Sequence, residues 1–116
     1  MNNSVYPCIW FNNNGKEAAA FYCTVFPGAT VTEDTGLVQM LSINGQNMMF
    51  LNGGDQFAPN ASISFLIANE DEKETERLYN ALAEGGIALM PLDSYPFSKK
   101  YGWVRDKFGI TWQLYT

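Results

Sequence analysis

The chain has 116 residues, 47% hydrophobic and 15% aromatic, which is enough apolar surface for one folded domain with a single core. Seven Lys and Arg stand against 12 Asp and Glu, a net charge of −5, so the basic footprint of a nucleic-acid binder is absent. No apolar run approaches the roughly 18 residues of a membrane helix, and the lack of histidine removes Ser-His-Asp and Cys-His catalysis and every His-ligated zinc site.

Met1-Asn2-Asn3-Ser4 carries no basic patch ahead of an apolar stretch, so no leader is expected and the expected compartment is the cytoplasm. Ser4–Phe11 alternates and is rich in Val, Ile, Trp and Phe, which predicts a strand. Pro7 inside it predicts an edge or a local irregularity. Asn12-Asn13-Asn14-Gly15 is a turn cluster able to cap a helix. The helix follows over Gly15–Phe26, with Ala18, Phe21, Tyr22 and Val25 on one stripe, and Pro27-Gly28 stops it. Ala29–Glu33 is a short strand. Leu37–Ile43 and Gln46–Leu51 form a hairpin on the type I′ pair Asn44-Gly45. Cys8 and Cys23 lack CxxC spacing and are expected as reduced thiols in apolar surroundings.

Asn52–Asn60 is polar and Gly-bearing and reads as a linker. Ala61–Ala68 is the next strand, with Ile63, Phe65 and Ile67 on one face and Ser62, Ser64 and Leu66 on the other. Asn69–Glu84 is a helix: Asp71 with Glu74 resembles a capping box, Thr75, Leu78, Tyr79 and Leu82 form the stripe, and Gly85-Gly86 ends it. Ile87–Met90 is a short strand and Pro91–Lys100 a loop carrying Tyr95 and Phe97. Tyr101–Arg105 and Ile110–Tyr115 close as a hairpin whose turn Asp106 fixes through its backbone.

The element order of residues 4–52 recurs over 61–116. The predicted fold is α+β: one domain, 1–116, of two βαβββ modules forming a curved mixed sheet with helices on the outer face and a cleft on the inner one. If Gln113 faces that cleft, Thr111 and Tyr115 share its side of the strand. Gln113 then either binds a ligand or is satisfied by backbone. Trp103 and Arg105 alternate on the preceding strand, as a cation- or anion-binding wall or as a surface aromatic beside a solvated Arg. Tyr101, with Tyr95 and Phe97, can lid a pocket or bury in a dimer. Trp10 and Trp112 are expected in the core; Met48, Met49 and Met90 either fill core or soften a pocket.

Two stretches carry a resemblance. The first is Pro7-Cys8-Ile9-Trp10-Phe11, with Glu17-Ala18-Ala19-Ala20-Phe21-Tyr22 and Val25-Phe26-Pro27-Gly28. The second is Tyr101-Gly102-Trp103-Val104-Arg105-Asp106-Lys107-Phe108-Gly109 running into Thr111-Trp112-Gln113-Leu114. The chain resembles the vicinal oxygen chelate superfamily of glyoxalase I, bleomycin-resistance proteins and extradiol dioxygenases. Within it, the chain is similar to the PhnB-like, demethylubiquinone methyltransferase-like branch. The resemblance implies metal ligands on the first and last strand of each half. Those positions fall near Pro7, at Ser62 or Ser64, within Met48–Leu51, and at Gln113. Only Gln113 offers a ligand, and one amide oxygen does not hold a divalent ion. No metal and no other cofactor is therefore expected, and no glyoxalase or dioxygenase chemistry. Gly53-Gly54 and Gly85-Gly86 lack the spacing of a Gly-rich cofactor turn. The expectation is a homodimer binding a small molecule in its cleft, without nucleic-acid or membrane partners and with no catalytic residue assigned. The alternatives are sequestration of a bleomycin-type antibiotic, and a methyltransferase or other lyase or transferase as the branch label suggests.

Overall fold

The computed structural model describes residues 3–116; Met1 and Asn2, where the leader-free start was expected, lie outside the described residues. Two compact units divide the chain, Met1–Pro59 and Asn60–Thr116. Among the described residues, no helix is long and apolar enough to cross a membrane.

The first unit runs β1 (Cys8–Phe11), α1 (Gly15–Val25), β2 (Ala29–Asp34), β3 (Val38–Ile43), β4 (Gln46–Asn52). Its sheet order is β1-β4-β3-β2, with β1 parallel to β4 and the other pairs antiparallel. Strand β1 starts at Cys8 rather than Ser4, since Pro7 offers only its carbonyl, which accepts from Met49 N at 2.9 Å. It is an outer strand of its sheet, as a proline-bearing segment favours. Phe11, Leu41, Tyr22 and Phe50 fill the space under α1, the Phe11 and Phe50 rings 4.6 Å apart. Asn44 and Gly45 both have positive φ, 51° and 88°, the conformation the hairpin pair was expected to adopt.

The start of α1 is closed from a distance. Asn14 makes no side-chain cap. Instead Asn52 Oδ1, at the end of β4, accepts from Gly15 N at 2.7 Å. The Asn52 amide donates to Gln39 Oε1 at 2.8 Å and Leu37 O at 3.1 Å. Gln39, 1% exposed, in turn donates to Asp34 Oδ1 at 3.0 Å. A Cβ at Gly15 would collide with the Gln39 and Asn52 side chains. This network supplies polar groups that apolar packing would otherwise leave unsatisfied.

The second unit repeats the order: β5 (Ser64–Ala68), α2 (Glu72–Ala83), β6 (Ile87–Tyr95), β7 (Ser98–Arg105), β8 (Thr111–Tyr115). Its sheet is β5-β8-β7-β6, with β5 parallel to β8. Both units are thus mixed four-stranded sheets with one helix each, the α+β arrangement expected. Asp71 caps α2 by accepting from Lys73 N at 2.9 Å and Glu74 N at 3.4 Å. The reciprocal half of the capping box is not made: Asp71 N donates to Asn69 Oδ1, and Glu74 pairs with Arg77. Thr75, Leu78, Tyr79 and Leu82 are buried, the stripe read from the sequence.

Two boundaries need correction. Strand β5 begins at Ser64, because Ala61 and Ser62 form a turn in which Ser62 N donates to Asn60 Oδ1 at 2.8 Å. The stretch expected as a loop, Pro91–Lys100, is mostly strand. β6 continues to Tyr95, Pro96 and Phe97 make the turn, and β7 starts at Ser98. β6 is the outer strand of this sheet and its register slips three times against β7, so Pro91 is absorbed without ending it.

Asn52→Ala strands Gly15 N and Gln39 Oε1 together, and is expected to lower unfolding free energy by about 1–3 kcal/mol in urea titration, against about 1 kcal/mol for the exposed cap Asp71→Ala. The hydrogen bond from Gln39, then that from Gly36 N, holds the Asp34 carboxyl below its ordinary 3.8. Its contribution is complete above pH 3.8 and lost as pH falls through the depressed value. Gln39→Leu should move the Asp34 carboxyl titration, followed by NMR, back up toward 3.8.

Candidate functional site

Strand alternation sorts β8 into two sides. Trp112 and Leu114 are buried under α2, at 2% and 0% exposure. Thr111, Gln113 and Tyr115 take the opposite face. The register places Arg105 against Thr111, Trp103 against Gln113, and Tyr101 against Tyr115. All six residues singled out from the sequence therefore share one face of this sheet, the face away from α2.

Two hydrogen-bond systems organise that face. Tyr101 Oη donates to Gln113 Oε1 at 2.7 Å. This fixes which end of the amide is which, and leaves the Gln113 nitrogen with no hydrogen-bond partner among the described residues. The second system is a directed chain. Trp103 Nε1 donates to Ser64 Oγ at 3.0 Å, Ser64 and Thr111 share a hydroxyl bond of 2.8 Å, and Thr111 Oγ1 donates to Ile63 O at 2.8 Å. With Thr111 donating to the carbonyl, Ser64 is the donor to Thr111. The Trp103 indole is thereby laid across β8 toward β5.

Arg105 lies beyond the indole on β7. Its Nε is buried and has no acceptor, and no carboxylate pairs with its guanidinium among the described residues. A buried donor left unmade costs roughly 1–3 kcal/mol. The adjacent Asp106 is the opposite case. Its Oδ1 accepts from Phe108 N at 2.8 Å and Ile110 N at 3.2 Å, and its Oδ2 from Trp112 Nε1 at 2.8 Å. It closes the turn, as expected.

Tyr115 belongs as much to the far end of the sheet: its hydroxyl donates to Phe97 O at 2.8 Å. There Tyr95, Phe97 and Tyr101 form one aromatic cluster, with the Phe97 and Tyr101 rings 5.0 Å apart and crossed at 77°. An open surface pocket of about 760 Å³ lies beside it, bordered by Glu70, Tyr95, Phe97, Lys99 and Tyr115. Burial, then proximity to Tyr95, pushes the Tyr101 phenol above its ordinary 10.

Two expectations in the first unit are corrected. Trp10 is not core. It alternates with Phe11, which points to α1, so its indole lies on the other face, donating to Gly54 O at 2.9 Å and meeting Phe57 edge-on at 5.1 Å. Cys8 is exposed rather than packed in apolar surroundings, because it falls on that same outward side of β1. Trp112 is buried as expected, and so is Met48, whereas Met49 is only half-buried.

The donor set does not suit a divalent ion. Pro7 offers no side-chain donor, and Met49 and Leu51 occupy the outward side of β4. Ser62 lies in a turn, Ser64 is committed to Trp103 and Thr111, and the Gln113 oxygen is taken by Tyr101. Among the described residues no three Cys, Asp or Glu side chains converge.

The family model described as 3-demethylubiquinone-9 3-methyltransferase matches residues 3–115. The chain belongs to this family. A PhnB protein from Bacillus cereus is 30% identical, with a TM-score of 0.86 over 97% of this chain and 98% of the other. Protein PA1353 from Pseudomonas aeruginosa is 24% identical over 98% and 97%, TM-score 0.83. The fosfomycin resistance protein FosX from Listeria monocytogenes shares the fold alone, at 15% identity over 99% and 91%, TM-score 0.70. The comparison with curated proteins finds no match. The PhnB-like branch of the vicinal oxygen chelate superfamily, and its glyoxalase/bleomycin-resistance-like fold, are thus those the sequence resembles.

Ultraviolet titration should show late-ionising phenols, one of which disappears in Tyr101→Phe. Because the folded phenol resists ionisation, its contribution is complete below pH 10 and lost as pH rises through the elevated value. Wild-type stability should therefore fall more steeply above pH 10 than that of Tyr101→Phe.

Proposed function

We propose that this protein binds a small organic molecule against Trp103, on the face of the second sheet away from α2, without a resident metal, and with the Gln113 amide nitrogen as its directing donor. The observation that carries this reading is the Tyr101–Gln113 bond of 2.7 Å. A buried phenol holds the amide oxygen, so the two N–H groups are presented outward in one orientation, ready for an acceptor. The indole beside them is immobilised by Ser64 and offers a flat apolar surface.

Methyl transfer, which the family description names, has less support here. In each of the two glycine pairs that might serve a cofactor one member is occupied by packing: Gly53 lies against the Trp10 ring, and Gly86 against the backbone of Arg105 and Asp106. Neither sheet is the parallel kind in which Gly-rich cofactor turns occur. Sequestration of a cationic bleomycin-type drug is disfavoured by the guanidinium of Arg105 on the same face. We also propose pairing with a second copy, favoured by exposed Leu66 on β5 and Ile87 on β6, the outer strands of the second sheet.

The test is a fragment screen read by tryptophan fluorescence and thermal shift. Binders should perturb fluorescence in wild type but not in Trp103→Phe. Gln113→Leu should weaken them about tenfold, near the upper end of a single hydrogen bond. S-adenosylmethionine, manganese, nickel and zinc should leave the melting temperature unchanged; stabilisation by any of them that Gln113→Leu abolishes would overturn the reading.

A further inference from the structure

We infer that the molecule held on this face is a planar organic acid, with its flat part on Trp103, its carboxylate at Arg105 and a hydrogen-bond acceptor at its other end for Gln113. The inference rests on the binding reading above and narrows it to one class of ligand.

What decides the class is the hydrogen-bond inventory. Each of these acceptor oxygens already receives a donor: the Gln113 oxygen from Tyr101, Ser64 from Trp103, Thr111 from Ser64. The groups with no partner at all are donors, the Gln113 amide nitrogen and the guanidinium of Arg105. A cationic ligand would meet no counter-charge beside the indole and would be repelled by the Arg105 guanidinium. Asp106 is turned to the other side and occupied by Phe108, Ile110 and Trp112. Asp93 stands in register with Tyr101, at the opposite end of the row from Arg105, and accepts from Ser94 N. An anion therefore finds the one guanidinium among the described residues that has no acceptor, in a protein whose overall charge is −5.

Geometry sets the shape. Arg105 and Gln113 are diagonal neighbours on adjacent antiparallel strands, because Arg105 pairs with Thr111 and Gln113 with Trp103. Such positions lie about 7–8 Å apart. At that backbone spacing one ring-sized ligand, with an acid at one end and an acceptor opposite, can meet both side chains. Trp103 neighbours both, two residues from Arg105 on β7 and paired with Gln113, and its indole offers the flat surface on which a ring can stack.

The closing experiment follows the Trp103 indole N–H signal by NMR, assigned by its loss in Trp103→Phe. Three matched probes are titrated: 4-acetylbenzoate, 4-acetylbenzamide and 4-acetylbenzylammonium. The acid should shift the signal and bind about tenfold more tightly than the amide, as a charge-assisted bond does over a neutral one. Arg105→Gln should abolish that preference, Arg105→Lys should keep part of it, and Gln113→Leu should weaken acid and amide alike. A single cooperative melting transition certifies that each variant is folded. If the amide or the ammonium binds as well as the acid, or Arg105→Gln keeps the preference, the acid inference fails and the binding reading stands. If neither these probes nor any screened fragment moves the Trp103 signal, the binding reading fails and takes the inference with it.

Discussion

The parallel pairing of β5 with β8 is the constraint on which the second unit's exposed face depends. It sets Ser64 beside Thr111, and so lets two hydroxyls form the chain that pins the Trp103 indole. A slip of one residue would turn Ser64 toward α2 and deprive the indole of its anchor. The Tyr101–Gln113 bond adds the second fixed point. Two rigid groups on adjacent strands therefore owe their orientation to backbone register rather than to loops.

Much of this was legible in the sequence, for a physical reason. Side-chain alternation in strands is strict, so Thr111, Gln113 and Tyr115 had to share a side, and so did Tyr101, Trp103 and Arg105. Which acceptors and donors on that side remain uncommitted was not legible. That depends on the pairing of Ser64 with Thr111, which are 47 residues apart. Trp10 was misread because aromatic bulk suggested burial, although its alternation with Phe11 already placed the two on opposite sides. The strands around Pro91 were misread as a loop because proline density outweighed position: an outer strand tolerates a residue that a central one rejects.

The two units share element order and sheet order, yet their end-of-strand chemistry has diverged. In the first, the last residue of β4, Asn52, caps a helix and feeds a buried amide network. In the second, the residue just past β8, Thr116, shares a 2.6 Å hydroxyl bond with Thr75 in α2. One topology thus carries different polar solutions at equivalent places. A family resemblance fixed by topology can accordingly coexist with altered side-chain chemistry, as at the positions where working relatives are expected to hold an ion.

The closure of α1 by Asn52 has a bearing on how the first unit assembles. The helix and its clamp are separated by 37 residues. As the chain leaves the ribosome, the helical segment emerges well before the strand that completes it. An isolated 11-residue helix is marginal in water. The nascent helix is therefore expected to fray until the whole hairpin has docked, making the unit an all-or-none module whose order arrives with its final strand.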